Sequence, residues 1–92
     1  MKGLTMSMGQ QNAILKMEPL PSTIMLCCLI CANNEWRINT ETMQRMSGYS
    51  HESVKRGLRM LCKENILKME VERDNGKYVG VDYVLINDLR GK

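Results

Sequence analysis

Phenylalanine is absent from this 92-residue chain, and the remaining aromatics amount to one Trp and three Tyr. A core built without them must be aliphatic and pliable, and nine Met and four Cys supply much of its volume. Long apolar runs are missing as well. The longest, residues 24–32, is nine residues, about half of the ~20 that a membrane-crossing helix needs. No apolar stretch of the signal-peptide kind precedes residue 20, so a soluble, cytoplasmic protein is expected. Gly and Pro are scarce (seven and two), while 43% of residues are apolar and 25% charged. Those proportions exclude fibrous and disordered classes, and the length suits one small domain.

Catalytic constellations are equally scarce. His51 is the one histidine, and no thiol, hydroxyl or carboxylate stands with it in a triad-like arrangement; Ser50-His51-Glu52 reads as a helix cap. There is no glycine-rich phosphate loop, no paired-carboxylate motif and no HExxH. The expectation is a protein that is not an enzyme and uses no cofactor. Cys28 and Cys31 have metal-ligand spacing, but a zinc site needs four ligands, and Cys27, Cys62 and His51 are the others on offer. Set among Leu26, Leu29 and Ile30 on one helix, they are expected to be free core thiols, with no metal.

The net charge of +3 is small, but its distribution is uneven. Residues 1–44 carry three cations and three carboxylates, residues 45–63 carry five cations against Glu52, and residues 64–92 carry five against six. The positive excess therefore lies in one 19-residue segment. A local basic stripe is the footprint of a nucleic-acid surface; a solvated helix face is the plain alternative.

Residues 1–20 read as an arm with an apolar patch at Ala13, Ile14, Leu15 and Met17, holding at most one helical turn or a short strand. Pro19 and Pro21 close it, and a helix follows from residue 21 or 22 to residue 32 or 33. This helix is apolar all round, so it must be covered on several sides. Either the arm or a second copy can do that, and a homodimer through helix 22–33 and the arm is expected. Asn33-Asn34 makes a turn, and Glu35-Trp36-Arg37-Ile38 alternates as a short strand would, with Trp36 anchoring it against the hairpin that follows. Asn39 or Thr40 caps a helix over 40–46, which carries Met43 and Met46 on one face and ends at Gly48.

Ser50 caps the next helix, residues 51–64, whose inward stripe is Val54, Leu58 and Leu61. Gly57 beside that stripe implies close packing against helix 40–46. The outward side carries His51, Lys55 and Arg59, flanked by Glu52, Arg56 and Lys63, and Asn65 can take the left-handed position that ends the helix. A β-hairpin over 66–73 and 78–86 completes the pattern. A three-residue loop, Asp74-Asn75-Gly76, would pair Val71 with Val79, Met69 with Val81, Leu67 with Tyr83, and Lys68 with Asp82. Residues 88–92 remain as a tail.

The order of elements, and the residues Met43, Gly48, Ser50, Ser53, Val54, Arg56, Leu58 and Leu61, with Asn65 where glycine is usual, resemble the winged helix-turn-helix DNA-binding domain. The nearest flavour is that of phage and plasmid replication-initiator N-terminal domains and small MarR-like regulators. The resemblance covers residues 21–87 and implies an α+β, mainly α, fold: a three-helix core, a short strand and a hairpin wing. It also implies that helix 51–64 enters the major groove of double-stranded DNA. Ser50, His51, Ser53, Lys55, Arg56, Arg59 and Lys63 are then the contact residues. Arg56 is the base reader, Lys55, Arg59 and Lys63 contact phosphates, and Glu52 caps and repels. Arg73, Asn75 and Lys77 would reach DNA from the wing tip, and Glu70, Glu72, Asp74 and Asp82 confine that contact to the tip. The implied function is a small transcription regulator. Binding of iterated repeats at a plasmid or phage replication origin or partition site is the close alternative, a protein–protein adaptor is a different class, and RNA binding is the weakest reading. No small-molecule ligand is evident.

Overall fold

The structure, a computed structural model, describes residues 6–89. In chain order it contains α1 (Met8–Leu15), α2 (Pro19–Asn33), α3 (Thr40–Ser47), α4 (His51–Lys63), β1 (Leu67–Asp74) and β2 (Lys77–Leu85). This is a mainly helical α+β fold with one two-stranded antiparallel sheet. The first five residues of the expected arm and the last three of the expected tail lie outside the described residues.

The centre of the molecule is α2. It starts at Pro19, two residues before the expected start, because both prolines fit the first turn, where backbone N–H groups have no intrahelical partner. Ile24, Met25, Cys28 and Cys31 are wholly inaccessible, and Pro21, Cys27 and Leu29 are buried beside them. Their cover comes from the chain itself: α1, α3, α4 and β2 all pack against α2. The segment read as an arm thus contains a two-turn helix, α1, opened by a capping box. Ser7 Oγ accepts from the Gln10 backbone N–H (3.1 Å), and the Ser7 N–H donates to Gln10 Oε1 (2.9 Å). Gln10 is buried, and its Nε2 donates to the Asp88 carbonyl at 2.7 Å, tying α1 to the C-terminal segment. Ile14 and Leu89 enter the core from these two ends.

Between α2 and α3 the expected strand shrinks to a single bridge. Glu35 takes the left-handed region (φ 60°), and the Trp36 N–H turns back to the Cys31 carbonyl at 2.8 Å. Backbone groups that could have entered a ladder are spent on the end of α2. Only Ile38 bridges, accepting from the Tyr83 N–H at 2.8 Å. Trp36 keeps 46% of its surface exposed and lines a recess together with Glu70, Tyr83 and Val84 of the hairpin.

The hairpin also differs from expectation. Asp74 faces Lys77 across a two-residue turn with Asn75 and Gly76 at φ 52° and 80°, the type I′ pattern. A shift between Glu72 and Arg73 then skips one residue of β2, giving Val71 opposite Val81, Met69 opposite Tyr83 and Leu67 opposite Leu85. The expected three-residue loop is therefore replaced by a tight turn plus a bulge. The apolar face is the one foreseen, two positions further along β2. Lys68 meets Val84 instead of Asp82, and Asp82 faces Glu70.

Candidate nucleic-acid interface

Two local devices set α4. Ser50 caps its N-terminus: Ser50 Oγ accepts from the Ser53 N–H at 3.2 Å and donates to Ser53 Oγ at 3.1 Å. Before it, α3 ends on Gly48 at φ 77°, after starting on Asn39, whose side chain accepts from the Thr42 N–H at 2.9 Å. The turn 48–50 that joins the two helices is therefore closed by a cap on each side. His51 Nδ1 lies 3.4 Å from Gln44 Oε1 and joins the same corner.

Burial divides α4 into two sides. Val54, Gly57, Leu58 and Leu61 are buried. A Cβ on Gly57 would lie 2.7 Å from Ile24 Cγ1, so the close approach is to α2, not to α3 as the sequence suggested. Lys55, Arg56, Arg59 and Lys63 are all exposed, as are Ser50, His51 and Glu52, while Ser53 is half-buried at the first turn. Among the described residues, none of the four cations makes an ion pair or side-chain hydrogen bond. Four cations against Glu52 leave α4 with a net +3, concentrated on the outward side of a helix whose other side is locked. Arg45, counted in the same basic segment, is bonded to Glu41 at 2.8 Å on α3 and adds little to this field.

Arg73, Asn75 and Lys77 are exposed at the hairpin tip and are not gathered with the α4 set. Packing against α4 involves the base of β1, where Leu67 and Ile66 are buried. Asn75 lies eight residues beyond Leu67, a reach of about 26 Å at ~3.3 Å per residue. Met69 and Val71, exposed by 54% and 42%, show that the hairpin leaves the body of the protein soon after its base.

Two further features escaped the sequence reading. Arg37 Nε stands 3.6 Å from Asp82 Oδ2, beside a recess lined by Trp36, Glu70 and Val84. A groove of about 790 Å³ runs between α1, the start of α2, the C-terminal end of α4 and residues 87–89. Neither has a short-range sequence signal, because each joins segments far apart in the chain.

The four thiols are free, with Cys27, Cys28 and Cys31 buried and Cys62 half-buried. Burial pushes all four upward; Cys31 reaches about 11, and Cys28 rises further because burial is joined by its thiol neighbours. Such thiols stay protonated at neutral pH and make poor nucleophiles. Comparison with protein-family models, curated proteins and solved structures finds no match to this chain.

Proposed function

We propose that this chain is a winged helix-turn-helix domain that binds double-stranded DNA through α4 and acts as a small transcription regulator. The observation that carries the reading is the division of α4: four exposed, unpaired cations on one side, a fully buried apolar stripe on the other. A helix about 10–12 Å across fits a major groove ~12 Å wide. Held by α2 and by the Ser50 cap, α4 presents its cations on a backbone already ordered, so that binding has only their side chains left to fix. The order of elements and the Ile38–Tyr83 bridge, which lays a third backbone segment beside the hairpin, also support the winged-helix reading.

In this reading Arg56 offers its fork to guanine O6 and N7, while Lys55, Arg59 and Lys63 neutralise phosphates. Ser50, Ser53 and the helix N-terminus add hydrogen bonds to the backbone. Glu52 repels ill-fitting phosphates, and the wing acts at its tip through Arg73, Asn75 and Lys77.

A second copy was expected as cover for α2, but α1 and the rest of the chain already provide that cover. What α1 leaves outward is Met8 and Leu15, 70% and 81% exposed, which are the residues a homodimer would use.

Anisotropy with labelled genomic duplexes at two salt concentrations tests the proposal. Sub-micromolar binding is expected, weakening with salt by a log–log slope of ~−2.7 per chain for three phosphates neutralised, and about −5 for a dimer. Absence of binding at low salt rejects DNA recognition and leaves the adaptor. Light scattering, run beside it, reads the oligomeric state.

A further inference from the structure

Sulfur is not scattered through this core. Cys28 and Cys31 stand three residues apart on α2, Met43 and Met46 three apart on α3, and the two pairs meet in register. Cys28 Sγ lies 4.0 Å from Met43 Sδ, and Cys31 Sγ lies 3.5 Å from Met46 Sδ. Residues three apart on a helix are surface neighbours, so the two Cys–Met pairs lie side by side, one turn apart, where α2 packs on α3.

We propose that this seam binds a soft monovalent cation, Cu(I), with Cys31 and Met46 as the outer ligands and Cys28 and Met43 as the inner ones. Metal–sulfur bonds of about 2.3 Å would span the observed separations of 3.5 and 4.0 Å with angles at the metal of roughly 100° and 120°. Both angles suit three- or four-coordinate geometry.

The chemistry of the donors selects the ion. Thiolate with thioether favours Cu(I), whereas zinc takes thiolate, imidazole or carboxylate. Among the described residues no group of three or more His, Cys, Asp or Glu is arranged to hold a metal, so a harder ion lacks a ligand set. His51, the nearest imidazole in sequence to α3, is exposed and turned to Gln44. Charge argues the same way. Cys31 is wholly inaccessible, and in such surroundings a +1 ion matched by one thiolate leaves no net charge, while a divalent ion would leave one uncompensated. On binding, the Cys31 S–H bond breaks, its proton passes to solvent, and an S–Cu bond forms; Cys28 keeps its S–H bond and donates only a sulfur lone pair as a neutral, weaker ligand, so one thiolate balances the +1 ion. Copper enters and remains as Cu(I), so no oxidant or reductant is consumed. Met46 is half-buried and has three rotatable bonds, which gives the ion a way in from the surface.

The test is anaerobic titration of the full chain with Cu(I) held by a coloured chelator such as bicinchoninate. One Cu(I) per chain should be withdrawn, with a rise in melting temperature. Cys31→Ala should abolish uptake. Met46→Leu and Met43→Leu, near-isosteric changes that keep the core filled, should each weaken it tenfold or more. Circular dichroism of the metal-free variants checks that they fold, and the Met variants decide the matter if Cys31→Ala does not. Cys62→Ala should bind as the parent does. Copper left on the chelator, parental uptake by the Met43→Leu/Met46→Leu double variant, or uptake lost with Cys62 would each overturn the assignment.

Discussion

Ile24 occupies the space that a side chain on Gly57 would need. A Cβ there would come within 2.7 Å of Ile24 Cγ1, and Ile24 is wholly buried, so it has little room to yield. Gly57→Ala brings two opposed effects: alanine gains up to ~1 kcal/mol of helix propensity, while overpacking costs about 1–3 kcal/mol. The second is the larger on average, and urea denaturation should show a net loss of up to about 2 kcal/mol. In an Ile24→Ala background, the same change should become neutral or stabilising, because the obstructing atoms are gone. Equal effects in both backgrounds would mean that α4 does not rest on α2 through this pair.

On the hairpin, Glu70 lies directly across from Asp82, and among the described residues only Asp82 of the two has an ion-pair partner, Arg37 at 3.6 Å. Facing carboxylates destabilise a strand pair, so Glu70→Lys should stabilise the protein by ~0.2–1 kcal/mol. The gain should shrink in part at high salt, since Glu70 is exposed while Asp82 keeps only 23% of its side-chain surface accessible. Denaturation midpoints at low and high ionic strength measure it. A loss of stability would contradict the register and favour the one in which Lys68 serves Asp82.

Where the chemistry is local, the sequence was a sufficient guide. Asn39 and Ser50 as caps, Gly48 and Asn65 in the left-handed region (φ 77° and 60°), and the Val54-Leu58-Leu61 stripe all follow from the nearest few residues. The mainly helical α+β class and the outward cations of α4 were legible for the same reason. The hairpin face was legible too, since side-chain alternation settles it, but the register was not. A tight turn with a bulge and a three-residue loop give the same alternation, and local preference for Asn75-Gly76 decides between them. What the sequence hid is the long-range packing. Gly57 announces a close approach without saying to what, Gln10 bonds the Asp88 carbonyl 78 residues away, and the Cys–Met seam requires α2 and α3 side by side, whereas the Ser7-x-x-Gln10 capping box of α1 is a local signal.

Alkaline pH should weaken the fold through its thiols. Burial holds Cys31 at about 11 against its ordinary 9.0, and raises Cys28 as well. Above pH 9 the unfolded chain releases these protons while the folded chain keeps them, so the unfolded state gains. Stability is therefore whole below pH 9 and falls as pH climbs toward 11, by up to ~1.4 kcal/mol per pH unit for each thiol. Urea midpoints at about pH 8 and pH 10 should differ more in the parent than in Cys31→Ala. Identical losses in the two proteins would show that other groups govern the alkaline limb.

The sharpest separation of roles is between Arg56 and Lys63, both exposed and both unpaired among the described residues, but seven residues apart along α4. Arg56 lies in the N-terminal half, the end that a groove-bound helix directs at base edges; Lys63 lies in the last turn, where the backbone passes. Arg56→Ala should cost about 1–3 kcal/mol on the preferred duplex and much less on unrelated ones, so sequence preference relaxes. Arg56→Lys should recover phosphate attraction but not preference, because an ammonium cannot make the paired contact to guanine. Lys63→Ala should weaken all duplexes alike and make the salt slope shallower by about 1. Competition anisotropy with the selected duplex and a shuffled one, at two salt concentrations, measures all three. If Arg56→Ala lowers both duplexes equally, Arg56 is one more phosphate ligand and the base reader lies elsewhere on α4. If neither substitution alters binding, α4 is not the element that meets DNA.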